Sequence, residues 1–170
     1  MTGATSLVAG AAGLAPAPAA GKQNAFLRGD ASWADLAAVA LSGSFADLSN
    51  RPVRGISCPI NGGGSVIATG VAGFLLLPFA GTITGWTLLG TPSGSLTVDI
   101  WAGPLASFGS ISGANTICAG TPPAISSGVQ AQGSALTGWT TAIAANTALV
   151  FNVVSASGIT AANLVLNVAV

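Results

Sequence analysis

The sequence predicts a mostly β protein: an extended N-terminal arm followed by an antiparallel β-sandwich, jelly-roll-like domain. Three observations carry that reading. Lys22, Arg28, Asp30, Asp35, Asp47, Arg51 and Arg54 crowd into the first 54 positions, and the rest of the 170-residue chain holds one charge, Asp99. That break divides the chain into 1–54 and 55–170. The second part repeats short apolar/polar alternations separated by Gly, Pro, Asn and Ser, the pattern of half-buried strands joined by turns. The first part contains "GLAPAPAAGKQNAFLRGDASW" (13–33), whose Ala-Pro alternation suits neither a helix nor a central strand.

Taken in order, "MTGATSLVAGAA" (1–12) is small, Gly-rich and without period. Pro16 and Pro18 fix their own φ and push Ala15 and Ala17 into extended geometry, so 13–20 reads as a polyproline-like arm. Next come a turn, the apolar pair Phe26-Leu27, a second turn at Arg28-Gly29-Asp30-Ala31, and Trp33. "ADLAAVALSG" (34–43) suits one weak helical pass or a strand, and "SFADLSNRP" (44–52) closes on the turn residues Asn50 and Pro52.

Beyond residue 55, "SLTVDIW" (95–101) sets Leu96, Val98 and Ile100 against Thr97, Asp99 and Trp101. "NLVLNVAV" (163–170) alternates in the same way, and 74–79, 82–90 and 148–156 are further strands. Pro78 belongs at an edge or bulge because it has no N–H for a ladder. "NGGGS" (61–65) reads as a flexible hinge between units, and "TPSG" (91–94) as a turn. "TGWT" occurs at 84–87 and at 137–140, suggesting two related strand corners in which Gly lets the strand bend beneath the ring. Short strands with turns between them indicate a sandwich or barrel.

Composition restricts the chemistry. The chain has no His, Glu or Tyr, its net charge is zero, and charged residues make up 5% where a soluble domain has about 25%. Nothing collects phosphates, which argues against nucleic-acid binding. The mean hydropathy of +0.74 owes much to Ala. The longest apolar run, "VAGFLLLPFAGTI" (71–83), is interrupted by Pro and Gly and is well short of the roughly 20 residues of a spanning helix. The expectation is a soluble chain without a secretory leader or membrane insertion. Cys58 and Cys118 lack the spacing of a zinc or redox site and read as buried free thiols. A β unit with one acid and no Lys or Arg after residue 54 lacks the paired carboxylates or the base that common enzymes use. The expectation is therefore no catalytic residues, no metal and no cofactor. Arg28-Gly29-Asp30 matches a tripeptide read by some adhesion receptors, but it sits where a turn is needed anyway. With no Lys to blunt edge strands, a defined oligomer is the expected means of covering them.

"AGLAPAPAAGKQNAFLRGDASW" (12–33) resembles a segment of bacteriophage fibre proteins, of the form Gly-Leu-Val-Pro-Ala-Pro…Lys-Phe-Leu-Arg-Gly-Asp-Gly-x-Trp. "LSGSFADLSNRP" (41–52) resembles a second element of phage head and tail fibres, Leu-Ser-Gly-x-Tyr-x-Asp-Leu-x-Asn-x-Pro. Ala31 stands where Gly is common and Phe45 where Tyr is common; Ala31 weakens any demand for positive φ at that position. "GTITGWTLLGTPSGSLTVDIWAGP" and "LTGWTTAIAANTALVFNV" resemble β domains at the ends of such fibres. The resemblance implies a virion structural protein, assembled in the bacterial cytoplasm and displayed on the virion surface as a homotrimer. Its arm would grip a capsid or tail protein through Leu14, Pro16, Pro18, Phe26, Leu27 and Trp33. A head fibre or capsid decoration protein suits the short chain. The alternative is a short tail-fibre subunit that stacks host-surface glycan on Trp101 or Trp139, the competing role of those two rings being core or interface.

Overall fold

The computed structural model describes residues 16–22, 25–36 and 53–170. The chain divides into two compact units, 1–51 and 52–170. In the first, β1 (Ala25–Leu27) and β2 (Trp33–Asp35) form a two-stranded antiparallel hairpin in which Phe26 faces Ala34 and Leu27 faces Trp33. Arg28-Gly29-Asp30 lies in its turn, as its residue types predict. The Leu14 anchor and most of 34–43 fall outside the described residues. Position 31 corrects an expectation, because Ala31 adopts φ +64° although it carries a Cβ.

The second unit is all β and antiparallel. Its strands are β3 (Val53–Asn61), β4 (Gly70–Leu77), β5 (Gly81–Pro104), β6 (Ala124–Gly133), β7 (Ala142–Ile143), β8 (Thr147–Ser157) and β9 (Ala161–Ala169). They make one seven-stranded sheet in the order β3-β9-β5-β8-β4, with β6 and β7 also on β5. The sheet curls because β5 serves both halves: 82–91 pairs with β9, whereas 95–104 pairs with β8. Along the first half, Leu88, Leu164 and Cys58 stand in one register row; along the second, Ile100, Phe151 and Gly73 do. These rows face one core, in which Leu88, Ile100, Phe151 and Leu164 are fully buried. The two end strands meet across it, since a Cβ on Gly73 would lie 2.9 Å from the Cys58 sulfur.

Three readings of the turns need correction. The segments 82–90 and 95–101 are one strand, because "TPSG" continues β5 instead of turning. Gly94 allows this continuity: a Cβ there would meet the Ser157 carbonyl oxygen at 2.1 Å. "NGGGS" is a tight turn from β3 to β4 and not a hinge between units. The Asn61 side chain accepts from the Gly63 amide at 2.7 Å, and Gly63 and Gly64 take positive φ. The two "TGWT" sites are not related strands either. The first lies in β5 beside a bulge, and the second falls between β6 and β7 with Gly138 at φ +80°. Pro78 ends β4 and exposes its ring just beyond the strand. Both thiols are free and buried.

Candidate functional site

The hairpin unit holds most of the predicted anchors, and it engages several of them internally. The Trp33 indole N–H donates to the Pro16 carbonyl at 2.9 Å, folding the Ala-Pro segment back over its own hairpin. Trp33 and Pro18 are half-buried; Phe26 and Leu27 are exposed at 46% and 40%. Lys22 pairs with Asp35 and tethers the segment a second time. In the turn, Asp30 accepts from the Ser32 amide at 3.0 Å and its hydroxyl at 2.6 Å. The Ser32 hydroxyl, followed by the Ser32 amide, holds the Asp30 carboxyl below its ordinary range.

In the β unit the informative surface is the outer face of β4, β8 and the second half of β5. Strand alternation sends Leu149, Phe151 and Val153 into the core and leaves Ala148, Val150 and Asn152 facing out. Register then builds three outer rows across the strands. They are Val71–Asn152–Asp99, Phe74–Val150–Trp101 and Leu76–Ala148–Gly103. Residues 105–116, including two short 3-10 turns (Leu105–Ser110 and Gly113–Asn115), cross this face as a flap. Ile111 lies over Gly103, where a Cβ would come within 3.0 Å of its side chain. Phe108 meets the Phe74 ring edge-on with centroids 5.1 Å apart.

Asp99 fastens the far end of the flap. One carboxylate oxygen accepts from the Thr116 hydroxyl at 2.6 Å and from the Ile100 amide at 2.9 Å. The other accepts from the Trp101 indole N–H at 2.7 Å. The lone acid of the β unit is therefore fully engaged in structure. Trp101 is half-buried, its ring pinned along one edge and lying 3.8 Å from where a Gly113 Cβ would be. A groove of about 400 Å³ opens beside Thr116, lined by residues including Gly103, Asn115, Thr140 and Thr147, and it has no titratable side chain.

The structure separates the two proposed glycan contacts. Trp139 is 8% exposed, belongs to the core and donates its indole N–H to Thr121, at 3.1 Å to the hydroxyl and 3.2 Å to the carbonyl. A buried ring with a satisfied donor offers no stacking face, so only Trp101 remains of that pair. The exposed residues of the outer face, Phe74 and Phe108, were not singled out from sequence. For Phe74 the signal was present in "FLLL" (74–77), where apolar residues occupy both phases of an alternating strand; Phe108, in an irregular segment, had none.

Cys118 is fully buried, and burial, together with the neighbouring Asp99 carboxylate, pushes its thiol up to about 12. Burial also raises the Cys58 thiol. Among the described residues there is no group of three or more His, Cys, Asp or Glu able to hold a metal ion. Among them, too, no helix is long and apolar enough to cross a membrane. Comparison with protein families, with curated proteins and with solved structures returns no match to this chain.

Proposed function

We propose that the chain is a non-enzymatic structural protein of a phage virion. It is a head-fibre or capsid-decoration subunit, held by its N-terminal unit, residues 1–51, and displaying the β unit as the knob of a homotrimer on the virion surface. One observation carries this reading: two N-terminal elements that resemble those of phage fibres, 12–33 and 41–52, occur together directly ahead of an all-β unit. The engagement of Asp99 by Trp101 and Thr116 supports a structural role, since it leaves the β unit's acid bound to its own scaffold. The test is location and copy number on purified particles, by quantitative mass spectrometry and cryo-EM. Hundreds of copies over the head support the proposal; absence from particles defeats it.

A second reading has one observation in its favour. Trp101 is half-exposed and oriented by a carboxylate, an arrangement suited to stacking on a sugar in a short tail-fibre subunit. A handful of copies at the tail, and glycan-array binding lost in Trp101→Ala, would favour it over the head location.

A further inference from the structure

We infer that the outer face of β4, centred on Phe74 and Leu76 and rimmed by Val71 and Phe108, is where a second copy of this chain docks. This deepens the self-assembly in the proposed function and rests on that part of it.

Near-continuous apolar sequence marks a strand covered on both faces, whereas one-sided strands alternate with polar residues. Both β4 ("GVAGFLLL") and β8 ("TALVFNVVSAS") carry such runs. The monomer covers both faces of β8 at 148–151, which are all buried. It covers only one face of β4: Leu77 is 1% exposed, whereas Phe74 is 67%, Val71 57% and Leu76 43% exposed. With Phe108 at 38%, these four present roughly 400 Å² of apolar surface, taking about 150–250 Å² for a large side chain. A standard interface buries about 800 Å² per partner, of which about 56–65% is apolar. The half-buried Trp101 and Ile111 beside the patch bring it to that share.

β4 itself carries neither Lys nor another charge to discourage approach to its outer face. Charge then selects the occupant. The acid nearest the patch is Asp99, which is bound to Trp101 and Thr116. Copies of the patch gathered about the three-fold axis of the proposed trimer therefore meet without like-charge repulsion, and nothing in the patch supplies the charged complement by which a different protein would be distinguished. A second copy is the partner this surface fits.

The experiment is the solution mass of the full chain over a concentration series, by light scattering and sedimentation velocity. It is read for the wild type, for Leu76→Lys, for Phe74→Ser and for a control, Leu89→Lys, at an exposed apolar position on the other half of β5. Circular dichroism and thermal melting confirm that each variant is folded. The expected result is an oligomeric wild type and control, with at least a tenfold weaker association in both patch variants. Patch variants that keep the wild-type mass overturn the assignment of the face while leaving self-assembly intact. A wild type that stays monomeric throughout overturns both. The virion reading is decided separately, by whether the protein is present on particles.

Discussion

Asp99 and Thr116 are seventeen positions apart in sequence, yet the threonine hydroxyl donates to the carboxylate at 2.6 Å, closing the flap of residues 105–116 against the outer face of the sheet. The same carboxylate orients Trp101 from the opposite side. An acid that looks solitary in the sequence thus joins a strand, a ring and a returning loop.

Removing this carboxylate should loosen the flap before it unfolds the sheet. Hydrogen bonds to a charged group contribute about 1.5–3 kcal/mol, so Asp99→Ala should cost at least that range and lower the melting temperature by several degrees. Asp99→Asn, which keeps one acceptor oxygen, should cost less. Thr116→Val removes the flap contact and the hydroxyl that accepts from the Cys118 amide at 3.2 Å, and should raise amide exchange in 105–116 and at Cys118 while leaving β8 and β9 protected. Equal melting of wild type and Asp99→Ala would mean that the cluster is ornamental.

The hairpin offers a sharper local test. Ala31 sits at φ +64°, where a Cβ costs roughly 1–2 kcal/mol relative to a right-handed conformation. The turn is retained because Ala31 N–H donates to Arg28 at 3.0 Å and Arg28 N–H to Ser32 at 2.7 Å. Ala31→Gly removes the strain, although it also loosens the unfolded chain, leaving a net gain of up to about 1 kcal/mol. The measurement is amide exchange at Arg28 and Ala31, which should slow several-fold. Faster exchange in the glycine variant would mean that the backbone at position 31 is not left-handed in solution.

How far the sequence reaches differs between its parts. The strands of 95–101, 148–156 and 163–170 were legible because their core residues recur at every second position and Asn, Ser and Gly bracket them. In β3 the same period is present as Ile56, Cys58 and Ile60, all buried, but Pro59 among them and Gly55 just before them masked it. β6 has no comparable signal: within "AISSGVQAQG" only Ile125 is buried. The continuity of β5 could not be read, because Pro92 and Gly94 have the residue types of a turn. Only the approach of Ser157 shows that Gly94 is there for space. The Asp99 cluster was out of reach for a related reason, since no local rule pairs an aspartate with a threonine seventeen positions away. Trp101 and Trp139 looked equivalent in sequence, and register and burial assign them opposite environments.

The role of Gly94 leads to a severe prediction. A methyl group at 2.1 Å from a main-chain oxygen and 2.9 Å from the Ile159 amide nitrogen cannot be relieved by a side-chain rotation. Gly94→Ala must push β5 away from the turn between β8 and β9, at a cost of about 3 kcal/mol or more. Gly64→Ala is a useful comparison, because nothing lies within 4 Å of the added carbon and only its φ of +89° opposes the change. Denaturant unfolding of the two variants should rank Gly94→Ala as much the more damaged. The opposite order would show that β5 is not continuous through 91–94.

The buried thiol sets the behaviour at high pH. Cys118 titrates near 9.0 when unfolded and near 12 when folded, because burial disfavours the thiolate beside the Asp99 carboxylate. Between those values the unfolded chain has lost a proton that the folded chain keeps. The neutral thiol's contribution is therefore complete below pH 9 and falls as pH rises toward 12, by at most about 1.4 kcal/mol per pH unit. Cys118→Ala should flatten this alkaline decline, although it leaves a small cavity and lowers stability at neutral pH. In the folded wild type, Cys118 should resist a thiolate-directed alkylating agent at pH 8.5 and react only after denaturant is added. Prompt alkylation of Cys118 in the native protein would mean that the core around Ile100 and Trp139 opens far more readily than its burial implies.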